Sequence, residues 1–106
     1  MIVTTGNDVV GYAVASTIGI VRGIVVRSPS ITQGLRGGFN AILGGNIEAY
    51  AEVCEAAREQ AYQRMVKQAR EKGADAVIAM RYDATEFAPG VTEVLVYGTA
   101  VKLTRV

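Results

Sequence analysis

The chain has 106 residues, of which 50% are hydrophobic and 20% are charged, so we expect one folded domain and exclude a disordered chain. The net charge is +1, and the basic residues are scattered along the chain. This distribution provides no electrostatic surface for nucleic acid or for an anionic membrane. A single cysteine cannot form an internal disulfide, which excludes the disulfide-rich secreted class.

No targeting or membrane segment is predicted. The opening, MIVTTGNDVV, lacks the basic segment and apolar run of a signal peptide. The apolar tracts elsewhere are short and interrupted by charges, unlike a transmembrane helix. We therefore expect a cytoplasmic protein.

The first predicted elements are two strands. A short strand is expected at IVTT (2–5), and a long strand rich in valine and isoleucine at 13–27, with room for a bend at a glycine. Even positions such as Ile20 and Ile24 carry bulk suited to a core. The odd positions are mostly small, as at Gly19 and Gly23, and would let another backbone or layer come close.

The next stretch, 28–45, contains apolar residues at helical spacing and several glycines. Ser30 is a possible N-cap, but three internal glycines each weaken a helix by about 1 kcal/mol relative to alanine. We expect a short extra helix or an irregular segment there.

A long helix is predicted at 46–72, with Asn46 as N-cap and Gly73 as the residue that ends it. Glutamates fill its first half, and lysines and arginines its second half, which complements the helix dipole. Its apolar arc spans roughly 180°, wider than one core contact needs. Since such a helix is also about 40 Å long, we expect part of it to pack on a second copy of the chain.

Two further strands are predicted at 75–84 and 91–103, joined by turn residues at 87–90. Strands, helices and a final hairpin follow one another in this order. The order favours an α+β fold, with an antiparallel sheet covered on one face by the long helix.

Two residues of that helix attract attention. Cys54 lies in the middle of the apolar arc, where an unpaired cysteine usually acts as a small buried hydrophobe. Arg58 lies in the same arc and would need a carboxylate partner if buried. The candidate partners are Asp75, Asp83, Glu86 and Glu93. Arg58 would form a structural or intersubunit ion pair, or extend its charged end to solvent, or belong to an anion-binding site at a subunit junction.

Four segments, in order, carry a resemblance to a known family: LGG with AY (43–50), Ala57–Arg58, GADAV (73–77) and YGTAVKL (97–103). Together they resemble the YbjQ-like family of small bacterial and archaeal proteins, which is labelled as heavy-metal-binding. The resemblance covers nearly the whole chain as a single domain. It implies a dodecin-like subunit, with a helix packed on an antiparallel sheet, and a ring of subunits that is a homopentamer.

Few residues in the sequence are suited to metal or ligand binding. Soft metals prefer clustered thiolate, imidazole or thioether ligands, and this chain offers Cys54, Met65 and Met80, with no histidine and no CxxC. The glycines of GLRGG and LGG match no phosphate-binding motif, although the helix that begins after Asn46 could hold an anion. The tyrosines are expected in core or interface.

Three functions remain open from the sequence. The first is a non-catalytic, homo-oligomeric scaffold or small-ligand-binding protein, with no cofactor. The second is a heavy-metal-binding protein with a site shared between subunits, which requires an exposed Cys54. An enzyme is least favoured, because no base activates a nucleophile.

Overall fold

The computed structural model describes residues 1–27 and 47–106, with side chains described for 1–27, 51–86 and 88–106. Its elements are the strands β1 (Ile2–Val3) and β2 (Tyr12–Arg27), the helix α1 (Ile47–Glu71), and the strands β3 (Ala76–Ala88) and β4 (Val91–Arg105). These ranges confirm the predicted strands and long helix. The predicted extra helix at 28–45 and the Asn46 cap lie outside the described residues.

The four strands form one sheet in the order β1-β3-β4-β2. β4 pairs antiparallel with both β2 and β3, whereas β1 pairs parallel with β3, Ile2 opposite Ala76. The predicted antiparallel sheet is therefore wrong in one respect, because the sheet is mixed. β1 is only two residues long and reaches its partner strand from a distant part of the chain, so no local turn signal could reveal the pairing.

The helix crosses one face of the sheet and lies mainly over β2 and β4. The residues of β2 that face it are Val21, Gly23 and Val25, and the first and last of these are almost fully buried. The bulky even-numbered side chains, expected to form the core, point to the opposite face. The expectation that the small side of β2 admits a second layer is confirmed, since that layer is α1.

Gly23 is the point of closest approach between helix and sheet. A Cβ atom placed there would lie 2.6 Å from the Met65 backbone nitrogen and 2.9 Å from the Arg64 Cβ. No real side chain tolerates such distances, so only glycine permits this packing. On the helix, the residues spaced by four along this contact are small or flexible, and all of them are buried: Ala57, Ala61, Met65 and Ala69.

The buried residues of α1 also include Val66, so the part of the helix from Ala57 onward uses a wide apolar surface in its own core. Tyr62 is half-buried and packs against that core. Val53 and Cys54 are half-buried and lie outside the core cluster, and Ala51 is exposed, within the single chain. The apolar positions that the chain's own core does not use therefore lie in the N-terminal part of α1.

The C-terminus of α1 follows the prediction. Gly73 has a positive φ of 76°, its N–H bonds the Arg70 carbonyl, and the Ala74 N–H bonds the Ala69 carbonyl, both at 3.0 Å. This is the Schellman arrangement, for which a glycine at this position is preferred. The β3–β4 turn is also confirmed, with Pro89 followed by Gly90 at φ 73°.

A bulge interrupts β3 between Ile78 and Arg81. Ala79 adopts φ 53° there, in the left-handed region that costs a non-glycine residue about 1 kcal/mol. The segment after β1 holds the bulge in place: the Ala79 N–H donates to the Gly6 carbonyl at 2.8 Å, and the Arg81 guanidinium donates to the Thr5 carbonyl at 2.8 Å. These contacts offset the strain.

We predict that Gly23→Ala lowers the free energy of unfolding by about 3 kcal/mol or more, because the added methyl group meets helix backbone that cannot move aside without displacing α1. Urea unfolding followed by circular dichroism measures this change. Gly6→Ala is the matched control: its Cβ would lie 3.5 Å from its nearest neighbour, the Thr4 hydroxyl oxygen, an ordinary contact. Equal stability of the two variants would contradict the proposed close packing.

Candidate functional site

The sheet surface that α1 leaves uncovered, here called the outer face, is the first candidate site. Its members follow from the strand register, which places three rows of residues side by side across β2, β4 and β3. The rows are Arg22–Tyr97–Arg81, Ile24–Leu95–Asp83 and Val26–Glu93–Thr85, with Ile20 before the first.

The outer face is unusually apolar along β2. Ile20 is 75% exposed, and Ile24 and Val26 are each 38% exposed. A sheet with one face in water normally alternates apolar and polar residues. Along this part of β2 both faces carry apolar side chains, and Arg22 is the one charged residue between Ile20 and Val26.

Of the predicted site residues, Arg58 is placed differently from expectation. Its side chain is 54% exposed and contacts the Glu55 carboxylate at 3.4 Å, one helical turn away. An exposed pair of this kind contributes well under about 1 kcal/mol. Within the single chain Arg58 is therefore not a buried charge, and Asp75, Asp83, Glu86 and Glu93 are not its partners in the described bonds.

The predicted carboxylates divide between the two ends of the sheet. The Asp75 carboxylate accepts the Leu103 N–H at 2.8 Å, beside the end of α1. The Asp83 carboxylate accepts the N–H of its neighbour Ala84 at 2.9 Å. Asp83 and Glu93 lie on adjacent strands of the outer face, with Asp83 opposite Leu95 and Glu93 opposite Thr85. The structure thus places Asp83 and Glu93 on adjacent strands of the outer face and Asp75 at the opposite end of the sheet.

A tyrosine pair lies on the helix side of the sheet. Tyr82 of β3 is 47% exposed, beside the helix residues Tyr62, Glu59 and Arg58. Its partial burial raises the pKa of the phenol, and the negative charge of Glu59 raises that pKa further. Tyr82 is therefore a neutral hydrogen-bond donor at physiological pH, next to a charged helix surface.

Metal ligands are not assembled within the described part of the chain. The described side chains, in 1–27, 51–86 and 88–106, include no group of three or more from cysteine, histidine, aspartate or glutamate that is able to hold an ion. Met65 and Met80 are buried in the core, so their thioethers are not offered to solvent. Cys54 is half-buried on α1, outside the core cluster. The GLRGG and LGG glycines lie outside the described residues.

A second candidate feature was not predicted from the sequence. It is a polar stripe along α1 that covers the free edge of β2. The stripe consists of Gln60, Arg64 and Gln68, spaced by four residues. The Gln68 side-chain oxygen accepts the Arg22 N–H at 2.8 Å, and the Arg64 guanidinium donates to the Ile24 carbonyl at 2.5 Å.

The third residue of the stripe, Gln60, accepts a hydrogen bond from the Arg27 guanidinium at 2.9 Å. Unpaired backbone groups of an edge strand invite pairing with another chain, and this stripe satisfies two of them. The i, i+4 spacing of the three polar residues was visible in the sequence. The backbone groups of β2 that these residues bind could not be predicted, because they depend on how the helix lies over the strand.

The fold and site together define a small α+β protein, in which one helix covers a mixed four-stranded sheet and leaves the other sheet face exposed. A family model described as "Putative heavy-metal-binding" matches residues 1–104. The chain belongs to this family, YbjQ, as the resemblance indicated.

Curated relatives agree with this assignment. A UPF0145 protein of Legionella pneumophila is 55% identical over 101 residues, which cover 95% of this chain and 96% of the relative. A UPF0145 protein of Burkholderia thailandensis is 50% identical over 104 residues, covering 98% and 94% of the two chains.

A crystal structure of a protein of unknown function from Pediococcus pentosaceus, assigned to the DUF74 family, shares the fold. Its TM-score is 0.61 at 19% identity, over 98% of both chains. In the described part of the present chain, no helix has the length and apolar character to cross a membrane.

We predict that Gln68→Ala makes the Arg22 amide exchange with solvent deuterium about fivefold faster, because one hydrogen bond worth about 1 kcal/mol is lost. Hydrogen exchange measured by NMR reports this amide. Gln63→Ala is the matched control, since Gln63 lies on the same helix and its described bond is to Glu59 only. The same rate for Arg22 in both variants would show that the stripe does not protect this edge.

Proposed function

We propose that this protein is a non-catalytic homo-oligomer, in which the outer faces of several copies together form a scaffold or a binding surface for a small ligand. The observation that carries the proposal is the exposed apolar side of β2, with Ile20, Ile24 and Val26 on the face opposite the helix. Contiguous exposed apolar surface on a small protein marks an interaction site more often than ordinary solvent-facing surface.

The dimensions of the chain support the same proposal. Its Cα atoms extend over 54 × 22 × 19 Å with a radius of gyration of 16.8 Å, whereas a compact domain of about 100 residues has a radius near 13 Å. An elongated subunit buries little of its own surface. The apolar positions of α1 that its own core does not use, such as Ala51, add to the surface available to a neighbour.

The arrangement that we propose is a closed ring, and the number of copies is five. Both come from the family resemblance, as does a dodecin-like relationship of the subunit. A ring joins two different surfaces of each subunit, so one chain contacts two neighbours. The candidates for ion pairs between subunits or for ligand contacts remain Arg58, Asp75, Asp83 and Glu93. Of these, Arg58 and Asp83 are exposed in the single chain. We expect this assembly to function in the cytoplasm.

The family description favours a second candidate function, heavy-metal binding. Within the chain, the observation in its favour is that Cys54 is only half-buried and lies outside the core cluster. A thiolate is the soft ligand that such metals prefer. Since one chain offers one thiol, the proposed metal site would combine Cys54 residues of several subunits.

We predict that Ile20→Lys lowers the mass measured by light scattering at micromolar concentration to that of the 11.2 kDa monomer, because a lysine in a buried interface loses its hydration. Val10→Lys is the matched control: Val10 is 98% exposed in the segment between β1 and β2, away from the outer face. A wild-type protein that is already a monomer would overturn the proposed function. An oligomer that Ile20→Lys leaves intact would exclude the outer face from the interface.

We predict for the second candidate that protein purified without chelators and loaded with zinc or copper retains the metal after gel filtration, whereas Cys54→Ala does not. Elemental analysis by mass spectrometry measures the bound metal. Alanine suits a helix, so the substitution leaves α1 intact. Met80→Leu serves as the control, because the Met80 thioether is buried in the core and should not bind the metal. Equal metal content in wild type and Cys54→Ala would overturn heavy-metal binding through this thiol.

A further inference from the structure

The two outer strands of the sheet each have one covered and one open stretch. On β2 the polar stripe of α1 contacts positions from Arg22 to Arg27. On β3 the segment 2–6 covers positions from Ala76 to Arg81, through the β1 pairing and the bonds of Thr4, Thr5 and Gly6. Among the described residues, no neighbouring strand covers 13–20 of β2 or 82–88 of β3.

These open stretches lie at opposite ends of the sheet. Residues 13–20 of β2 run beside 99–104 of β4, whereas 82–88 of β3 run beside 91–96 of β4. Both are seven or eight residues long, which is a typical strand length. Both strands run antiparallel to β4 and therefore point in the same direction.

The open stretch of β2, AVASTIGI, is unusual for an exposed edge. It contains no charged residue and no proline, two of the devices that prevent an edge strand from pairing with another chain. Its pairing with β4 has register shifts between Val14 and Ser16 and between Thr17 and Gly19. Its residues from Ala13 to Thr17 are all exposed. A few residues later, the polar stripe of α1 protects the edge of the same strand. One strand therefore has an open stretch and a protected stretch.

The charges around the two open stretches differ in their balance. Exposed basic residues flank the β2 stretch: Lys102 lies opposite Ser16, Arg105 lies opposite Tyr12, and Arg22 follows the stretch. Two acidic residues lie at this end: Asp75 accepts the Leu103 N–H, and Asp8 is exposed in the segment that leads into β2.

Acidic residues outnumber basic ones around the β3 stretch, where Arg81 directly precedes the stretch and Arg58 lies beside Tyr82. Asp83 and Glu86 lie within it and are exposed, and Glu93 lies opposite Thr85. Such complementarity favours contact between the two different edges and disfavours contact between two like edges.

We infer that the open stretch of β2 in one copy pairs with the open stretch of β3 in the next copy, so that the sheet continues from chain to chain around the assembly. This inference rests on the proposed homo-oligomer and names its interface. Copies related by rotation about an axis that runs roughly along the strands keep their strands in the same direction, so in such a ring the new pairing is parallel.

The diagonal placement of the two stretches shifts each copy along the strand direction relative to its neighbour. A sheet closed on itself requires tilted and staggered strands of this kind. Pairing two different edges also makes a ring if the rotation closes. All helices then lie on one side of the continuous sheet, and all outer faces lie on the other. The Asp83–Ala84 contact, exposed and local, would be replaced by the strand pairing.

Cross-linking tests the pairing. In a Cys54→Ala background, Ser16→Cys and Thr85→Cys place one thiol in each open stretch, and both positions are exposed. A short bis-maleimide, followed by denaturing electrophoresis, should produce a ladder of dimer, trimer and higher bands that ends at the particle mass measured by light scattering. Each single-cysteine variant should give no ladder beyond dimer, since a chain with one thiol can be linked only once.

The control pair is Ser16→Cys with Gln63→Cys, which moves the second thiol to an exposed position on α1. An oligomer by light scattering without a ladder, or with the same ladder in the control pair, would overturn the edge pairing and leave the proposed function standing. Dimers formed equally well by Ser16→Cys alone would point to like edges and would also overturn it. A monomeric background protein would overturn both proposals.

Discussion

At Gly23 the backbone of α1 approaches β2 more closely than any side chain would permit, and the other features of the chain depend on this contact. It draws the helix over the outermost strand rather than over the middle of the sheet. The stripe of Ala57, Ala61 and Ala69 follows from the same requirement, because only small residues allow a helix to lie this close to a strand. The core is consequently thin, and Met65 is its largest fully buried side chain.

The position of α1 over the edge has two consequences. It brings Gln60, Arg64 and Gln68 within reach of the β2 backbone, where they satisfy groups that a partner strand could otherwise use. It also leaves Ile20, Ile24 and Val26 exposed on the opposite face of the sheet. In the proposed oligomer, protection of one part of an edge, beside an open part and an apolar face, would direct contacts with other copies to particular surfaces.

The prediction of elements succeeded where the signals are local. The long helix, its glycine stop at Gly73 and the Pro89–Gly90 turn depend on neighbouring residues, and the structure contains all three. The prediction of which side chains are buried failed where burial depends on residues that are distant in the sequence. The angle of Arg58 on the helix predicted a position in the apolar arc, but its side chain is exposed and contacts Glu55.

The core face of β2 shows the same limit. Alternation along the strand separates a bulky side from a small side, but bulk alone does not decide which side meets the helix. Close packing against Gly23 favoured the small side, so Ile20 and Ile24 point outward. The parallel pairing of β1 with β3 and the strain at Ala79 likewise depend on contacts between residues more than 70 positions apart, such as Gly6 with Ala79.

The class of fold, the long helix with its glycine stop, the hairpin and the family could be predicted from the amino-acid sequence, because each of these rests on short-range periodicity or on ordered motifs. Which face of the sheet the helix covers, which edges are open and where the charged side chains lie depend on tertiary contacts. Those features depend on the tilt and height of one helix over one strand. A single glycine contact sets this geometry, and no periodicity in the chain specifies it.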